Sequence, residues 1–226
     1  PGGAPIVLSN GVRLQVSGTE PASIAVARAE LARAGVRTAE SGPLLTVRVD
    51  SASGVQPEGY RITAGGGTIA IEAVDAAGAS NALHSLAQQA AHEGGKLRPL
   101  VIEDAPRMPF RGLHIDLARN FHSKQEVLKL VEQMARYKLN TLHLHLGDDE
   151  GWRLQIKRLP ELTEVGAYRC HDPSETRCLL PQLGAGPERD TPVNGYLTQA
   201  DYRQILDAAK ARGIEVIPSF DMPGHS

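Results

Sequence analysis

This chain has little cysteine, little aromatic character and almost no net charge, and each shortage closes off a class of function. Cys170 and Cys178 are its only cysteines in 226 residues. With no second Cys/His pair at zinc spacing, they make a poor structural zinc site. They lie in a segment rich in Pro, Gly, Asp and Ser. A local disulfide that staples this loop is the preferred reading, and it implies an oxidising compartment, secreted, periplasmic or otherwise extracytoplasmic; two free thiols in a cytosolic protein are the alternative. A net charge of −2 and a pI near 6.5 offer no attraction to nucleic acid or an anionic membrane. No apolar run approaches the roughly 18 residues a bilayer span needs, so no membrane span is expected. No leader peptide is legible at Pro1, as would hold for a mature or trimmed chain. Aromatic residues make up 4%, with Trp152 the single Trp. What remains is ordinary for a globular protein, 41% hydrophobic and 22% charged. The length suits one or two domains.

Residues 1–105 read as a small α+β unit. Ile24, Ala27, Leu31 and Ala34 recur at helical spacing, and Gly35 stands where a helix stops. Strands are expected over Leu44 to Asp50, Tyr60 to Thr63 and Thr68 to Ala73, the last two flanking a glycine-rich hairpin connection, Ala64-Gly65-Gly66-Gly67. A second helix is expected from Ala79 to Ala91, with Leu83, Leu86, Ala87 and Ala90 on one face, and a further strand from Leu97 to Glu103. No constellation of reactive groups appears in this part, which reads as scaffold.

Asp104 to Pro109 contains two prolines and marks a junction. From residue 106 the pattern becomes strand, helix, strand, helix, strand. In Gly112 to Ala118, Leu113, Ile115 and Leu117 alternate with His114 and Asp116. Ser123 and Glu126 form a capping box ahead of a stripe of Val127, Leu128, Val131, Met134 and Ala135. In the second strand Leu142, Leu144 and Leu146 alternate with Thr141, His143 and His145, and the strand runs into Gly147-Asp148-Asp149-Glu150. Thr198 and Asp201 repeat the cap before Tyr202, Ile205, Leu206 and Ala209; Gly213 then precedes the third strand, Ile214 to Ser219. Strands joined by crossover helices make a parallel sheet with helices outside. The connection from Gly151 to Leu197 is too long for an ordinary loop, and such segments commonly wall or cover a pocket. Parallel strands bring the turns after their C-terminal ends side by side. Those turns carry Arg119, then Asp148 and Asp149, then Asp221 and His225.

Three stretches then carry a resemblance: Arg111-Gly112-Leu113-His114-Ile115-Asp116-Leu117-Ala118-Arg119, Leu139-Asn140 through His143-x-His145-Leu146-Gly147-Asp148-Asp149, and Val216-Ile217-Pro218 through Asp221-Met222-Pro223-Gly224-His225. Together they resemble the family 20 glycoside hydrolases, the β-N-acetylhexosaminidases. The loop Arg169-Cys170-His171-Asp172 to Cys178-Leu179-Leu180-Pro181 is most similar to the bacterial chitobiases. The resemblance implies an α/β architecture: a small α+β domain over 1–105, then, over 106–226, the first three βα units of a (β/α)8 TIM-type barrel. It implies exo-acting, retaining release of terminal N-acetylglucosamine or N-acetylgalactosamine, in which the substrate's own acetamide attacks the anomeric carbon, an exception to the two-carboxylate scheme. No cofactor or metal is implied. Arg119 and Asp148 would grip hydroxyls of the terminal sugar. His225, oriented by Asp221, would stand near the general acid and help bind substrate, and His145 and Asp149 would support them. The family's catalytic Asp-Glu pair follows a fourth barrel strand. It is expected beyond residue 226, with the remainder of the barrel as a second chain or missing segment; alone, the chain is expected to be inactive. Asp149-Glu150 follows the second strand and is not that pair. Ser219-Phe220 departs from relatives that often carry an acid and an aliphatic residue there, which leaves a carboxylate role at that position in doubt. Trp152 is expected to pack the long connection rather than stack on sugar.

Two rivals explain some of the same residues. His143 and His145, with Asp148, Asp221 and His225, could ligate zinc in a metal-dependent hydrolase. A non-catalytic sugar-binding protein would need no acid/base pair at all.

Overall fold

The computed structural model describes residues 3–19, 21–181, 186–222 and 224–225. The chain divides into two compact units, Pro1–Pro109 with Ala211–Gly213 and Phe110–Lys210 with Ile214–Ser226.

The first unit holds β1 (Ile6–Val7), β2 (Arg13–Ser17), α1 (Pro21–Arg33), β3 (Leu44–Val49), β4 (Tyr60–Gly65), β5 (Thr68–Ala73), α2 (Ala76–His92), β6 (Lys96–Leu97) and β7 (Leu100–Asp104). Its five-stranded sheet runs β2-β3-β5-β4-β7, with β2, β3 and β5 parallel and β4 antiparallel to both β5 and β7. Alternate residues Leu45, Val47, Ile62, Ile69 and Ile71 are buried in one core with Leu31 of α1 and Ala82, Leu83 and Leu86 of α2. The glycine connection closes as expected: Gly65 pairs with Thr68, and the left-handed φ of Gly66 and Gly67 suits a two-residue hairpin turn. The expected strand Leu97 to Glu103 is instead two. Between them lies Arg98-Pro99, and the halves pair differently, β6 with β1 and β7 with β4; Pro99 has no N–H with which to continue a ladder. β1 and β2 were not anticipated, although Leu14 and Val16 between polar neighbours carry the period of a strand.

The second unit holds β8 (Gly112–Asp116), α3 (Lys124–Arg136), β9 (Thr141–Asp148), β10 (Gly151–Trp152), α4 (Glu161–Glu164), α5 (Gln199–Lys210) and β11 (Glu215–Phe220). β9 pairs in parallel with both β8 and β11. The registers Leu113↔Leu142 and Ile115↔Leu144 line the leucine face with apolar partners, and this face shares a core with Val127, Val131 and Met134 of α3 and Ile205 and Ala209 of α5. Both helix caps form: Ser123 and Glu126 make the reciprocal capping box, and the Asp201 carboxylate accepts from the Thr198 amide and hydroxyl. Leu206, expected in the stripe of α5, is 36% exposed, so that stripe is narrower than its sequence implies.

The opposite face of the sheet is polar. His114 pairs in register with His143, and Asp116 and Ser219 flank His145. Between Ser219 and Phe220 the β9–β11 ladder skips Leu146. Such a bulge re-aims the residues beside it. Phe220 stacks on Trp152, ring centroids 4.8 Å apart, and the Trp152 indole donates to the Leu154 carbonyl. Trp152 thus packs the start of the long connection against β11.

Candidate active site

Arg119 leaves β8 by a tight turn in which its own backbone N–H donates to the Asp116 carboxylate. Its guanidinium meets three acids. Nη1 lies 2.9 Å from Asp116 Oδ2 and 2.8 Å from Asp148 Oδ2, and Nε lies 2.8 Å from Glu150 Oε2. Nη2 is 3.1 Å from Nδ1 of His225, an arrangement in which the arginine donates and His225 carries its proton on Nε2. The turns after β8, β9 and β11 therefore converge on one cluster.

Asp148 is the centre of this cluster, its side chain only 1% exposed. Oδ2 accepts from His145 Nε2 at 2.7 Å, and Oδ1 accepts from the Asp149 amide at 2.7 Å. Burial pushes its carboxyl upward, but the His145 and Asp149 hydrogen bonds and the Arg119 charge together outweigh burial and hold it below the usual aspartate value. It is a carboxylate at neutral pH. Asp221 reaches the same place, with ligand atoms of His145, Asp148 and Asp221 all within 4.8 Å of one another. Asp149 is exposed, and the His225 side chain is 71% exposed. His225 takes its near contacts from Arg119 and, at 3.6 Å, from Asp148.

Two residues of this cluster were not singled out from sequence as partners of Arg119. Asp116 belongs to the strand alternation of β8, and its place three residues before Arg119 is the legible signal of the pair. Glu150 looks like part of a solvated acidic run, yet it is 7% exposed and turned in beneath the guanidinium.

The long connection is tied down by Arg153, which is wholly buried. Its Nε donates to the Leu117 carbonyl and Nη2 to that of Ala118, while Nη1 donates to the carbonyls of Ala167 and Gly195. Burial, then the neighbouring Arg169, push this guanidinium down to about 10, so it stays charged at neutral pH. One side chain thereby clamps the residues just before Arg119 to two distant points of the connection.

Further out, Cys170 and Cys178 form the expected disulfide. Inside that loop the Asp172 carboxylate accepts from the Thr176 amide and from the Ser174 hydroxyl, the Arg177 and Ser174 amides and the Thr176 hydroxyl, and these last four, the Ser174 hydroxyl foremost, hold its pKa at about 2. Cys178→Ser is expected to remove about 2–3 kcal/mol from local stability by the loop-entropy relation. Faster amide exchange confined to residues 170–181 is the readout; exchange unchanged there would show that the Asp172 hydrogen bonds suffice.

The metal-ligand alternative for His143 and His145 fares poorly. Both rings direct a nitrogen at Ser219 Oγ, and the other nitrogen of His145 is on Asp148. Among the described residues, the two groupings with ligand spacing both include Asp148, whose Oδ2 already has the Arg119 cation 2.8 Å away. A divalent ion there would sit against a fixed positive charge.

The site is acceptor-rich: one arginine among Asp116, Asp148 and Glu150, with Asp149 and Asp221 nearby. It repels anions and suits a neutral ligand with several hydroxyl donors, to which Arg119 can also donate. Among curated proteins the chain is 50% identical over 219 residues to beta-hexosaminidase B of Pseudoalteromonas piscicida, covering 97% of this chain and 28% of that protein. It is 54% identical over 168 residues to the N,N'-diacetylchitobiase of Vibrio harveyi, covering 74% of this chain and 19% of that protein. The chain thus spans less than a third of the length of either relative. Its fold matches the GH20 exo beta-N-acetylglucosaminidase of Vibrio harveyi in complex with N-acetylglucosamine, with a TM-score of 0.82 and 33% identity over 98% of this chain and 34% of that one. A Streptomyces plicatus beta-hexosaminidase mutant in complex with product (GlcNAc) matches all of this chain and 44% of its own, with a TM-score of 0.76 and 31% identity. Residues 1–105 match the model for domain 2 of glycosyl hydrolase family 20 and residues 108–226 the model for its catalytic domain, and the chain belongs to that family.

Proposed function

We propose that this chain supplies the terminal-sugar subsite of an exo-acting β-N-acetylhexosaminidase that releases N-acetylglucosamine by substrate-assisted, retaining hydrolysis. The observation that carries the reading is the convergence of Arg119, Asp148 and His225 from three strand ends on one acceptor-rich cluster. In this reading residues 1–105 are an accessory α+β domain, and 106–226 are the first three βα units of a (β/α)8 barrel completed by further polypeptide. Arg119 donates to ring hydroxyls and Asp148 accepts from them. Asp221, His225, His145 and Asp149 hold the surroundings, with the acid that protonates the leaving oxygen supplied by the rest of the barrel. The disulfide favours an oxidising, extracytoplasmic setting, and among the described residues no helix is long and apolar enough to cross a membrane.

In the full-length protein, Asp148→Ala is expected to raise KM for a terminal N-acetylglucosaminide and to lower kcat/KM by about 10²-fold, the worth of a charged hydrogen bond plus the Arg119 counter-charge lost with it. Chelator treatment should leave the parent enzyme active. Kinetics unchanged by Asp148→Ala, or activity lost to chelator and restored by metal, would overturn the reading.

A further inference from the structure

The polar face of the sheet carries an element that the proposed subsite does not itself use. Ser219 Oγ stands 2.8 Å from His143 Nε2 and 2.9 Å from His145 Nδ1, and His145 passes on to Asp148 through Nε2. We propose that Ser219 is a positioning residue for Asp148: its single hydroxyl proton sets the tautomers of His143 and His145 so that His145 is a permanent donor to the Asp148 carboxylate. This rests on the reading of Asp148 as the acceptor of sugar hydroxyls.

The argument is a count of protons. An ionised Asp148 only accepts, so His145 Nε2 carries a hydrogen. In a neutral His145, Nδ1 is then bare and takes the hydroxyl proton of Ser219. Having given its proton, Ser219 can only accept from His143, which must carry a hydrogen on Nε2. Every bond in the row therefore points toward Asp148. The row starts from a neutral ring, because burial, then the adjacent His114 and His145, hold His143 below the ordinary histidine pKa. The groups facing His145 come from each neighbouring strand: His114 and Asp116 from β8, His143 and Asp148 from β9, and Asp221 beyond β11, with Arg119 on the far side of Asp148.

A hydrogen on His145 Nδ1 would reverse the row: Ser219 would accept from His145 and donate to a bare His143 Nε2. Without the hydroxyl, His145 Nδ1 has no donor and its tautomer is no longer tied to that of His143.

The test uses the full-length enzyme with ¹⁵N-labelled histidine. Nitrogen shifts should show His143 and His145 as Nε2–H tautomers in the parent, and His145 redistributed toward Nδ1–H in Ser219→Ala. KM in that variant should rise about three- to tenfold, the worth of one hydrogen bond, with kcat changing less. Ser219→Thr, which keeps a hydroxyl, should restore both readouts. An Nδ1–H tautomer for His145 in the parent, or an unchanged tautomer and KM in Ser219→Ala, would overturn the inference. Failure of the subsite reading would show separately, as an unchanged KM in Asp148→Ala whatever tautomers are found.

Discussion

Arg119→Ala in the full-length protein is expected to lower kcat/KM for a terminal N-acetylglucosaminide by about 10²–10³-fold, equivalent to roughly 3–4 kcal/mol of transition-state stabilisation. Two losses combine. The variant forfeits the guanidinium hydrogen left over for the sugar in the proposed subsite, and it leaves Asp116, Asp148 and Glu150 without the cation that neutralises them. Glu150 and the Asp148 side chain are nearly inaccessible to solvent, so water cannot take over that role. The lost attraction should also raise the Asp148 carboxyl. Its folded pKa is now depressed, so its contribution to stability is present above the unfolded value of about 3.9 and disappears as pH falls through the folded value. In Arg119→Ala that acid loss should begin at higher pH. Arg119→Lys should recover little activity, because one ammonium cannot reach Asp148, Glu150 and His225 from one stem. Kinetics within a few-fold of the parent for the Ala variant would remove Arg119 from the subsite.

Arg153→Met should be the most destabilising single change in the second unit, by about 3–5 kcal/mol, with no contact to substrate required. Met fills a similar space but leaves the carbonyls of Leu117, Ala118 and Gly195 without the Arg153 donor and that of Ala167 with the Gly195 amide alone. Leu117 and Ala118 lead straight into Arg119, so the damage should reach the site as lost order as well as lost stability. Urea unfolding read together with amide exchange along 151–197 checks this, and parent-like stability in the variant would contradict it. Gly151 bears on the same clamp: a Cβ there would meet the Arg153 guanidinium carbon at 2.6 Å. That guanidinium is pinned and cannot yield cheaply.

Much of the second unit was legible because its periods are simple. Leucines at alternate positions of 142–146 declare which face of β9 is buried, and Ser123 and Glu126 declare where α3 begins. The first unit was legible in its glycine hairpin and helix stop, but not at Arg98-Pro99, where one apolar run serves two ladders. Leu206 shows the limit from the other side: helical spacing names a stripe, but the width of the buried stripe depends on what lies opposite.

The amino-acid order alone determined the strand and helix alternation, the acids and the arginine at strand ends, and the family, because these depend on spacing along one chain. The tertiary structure decided what spacing cannot carry. It turned Glu150 inward, gave Arg153 four carbonyls from separate parts of the unit, and set Ser219 between two histidines more than seventy residues upstream. Partners of that kind are chosen by register between strands, here Ser219 opposite His145, which is a property of the folded sheet.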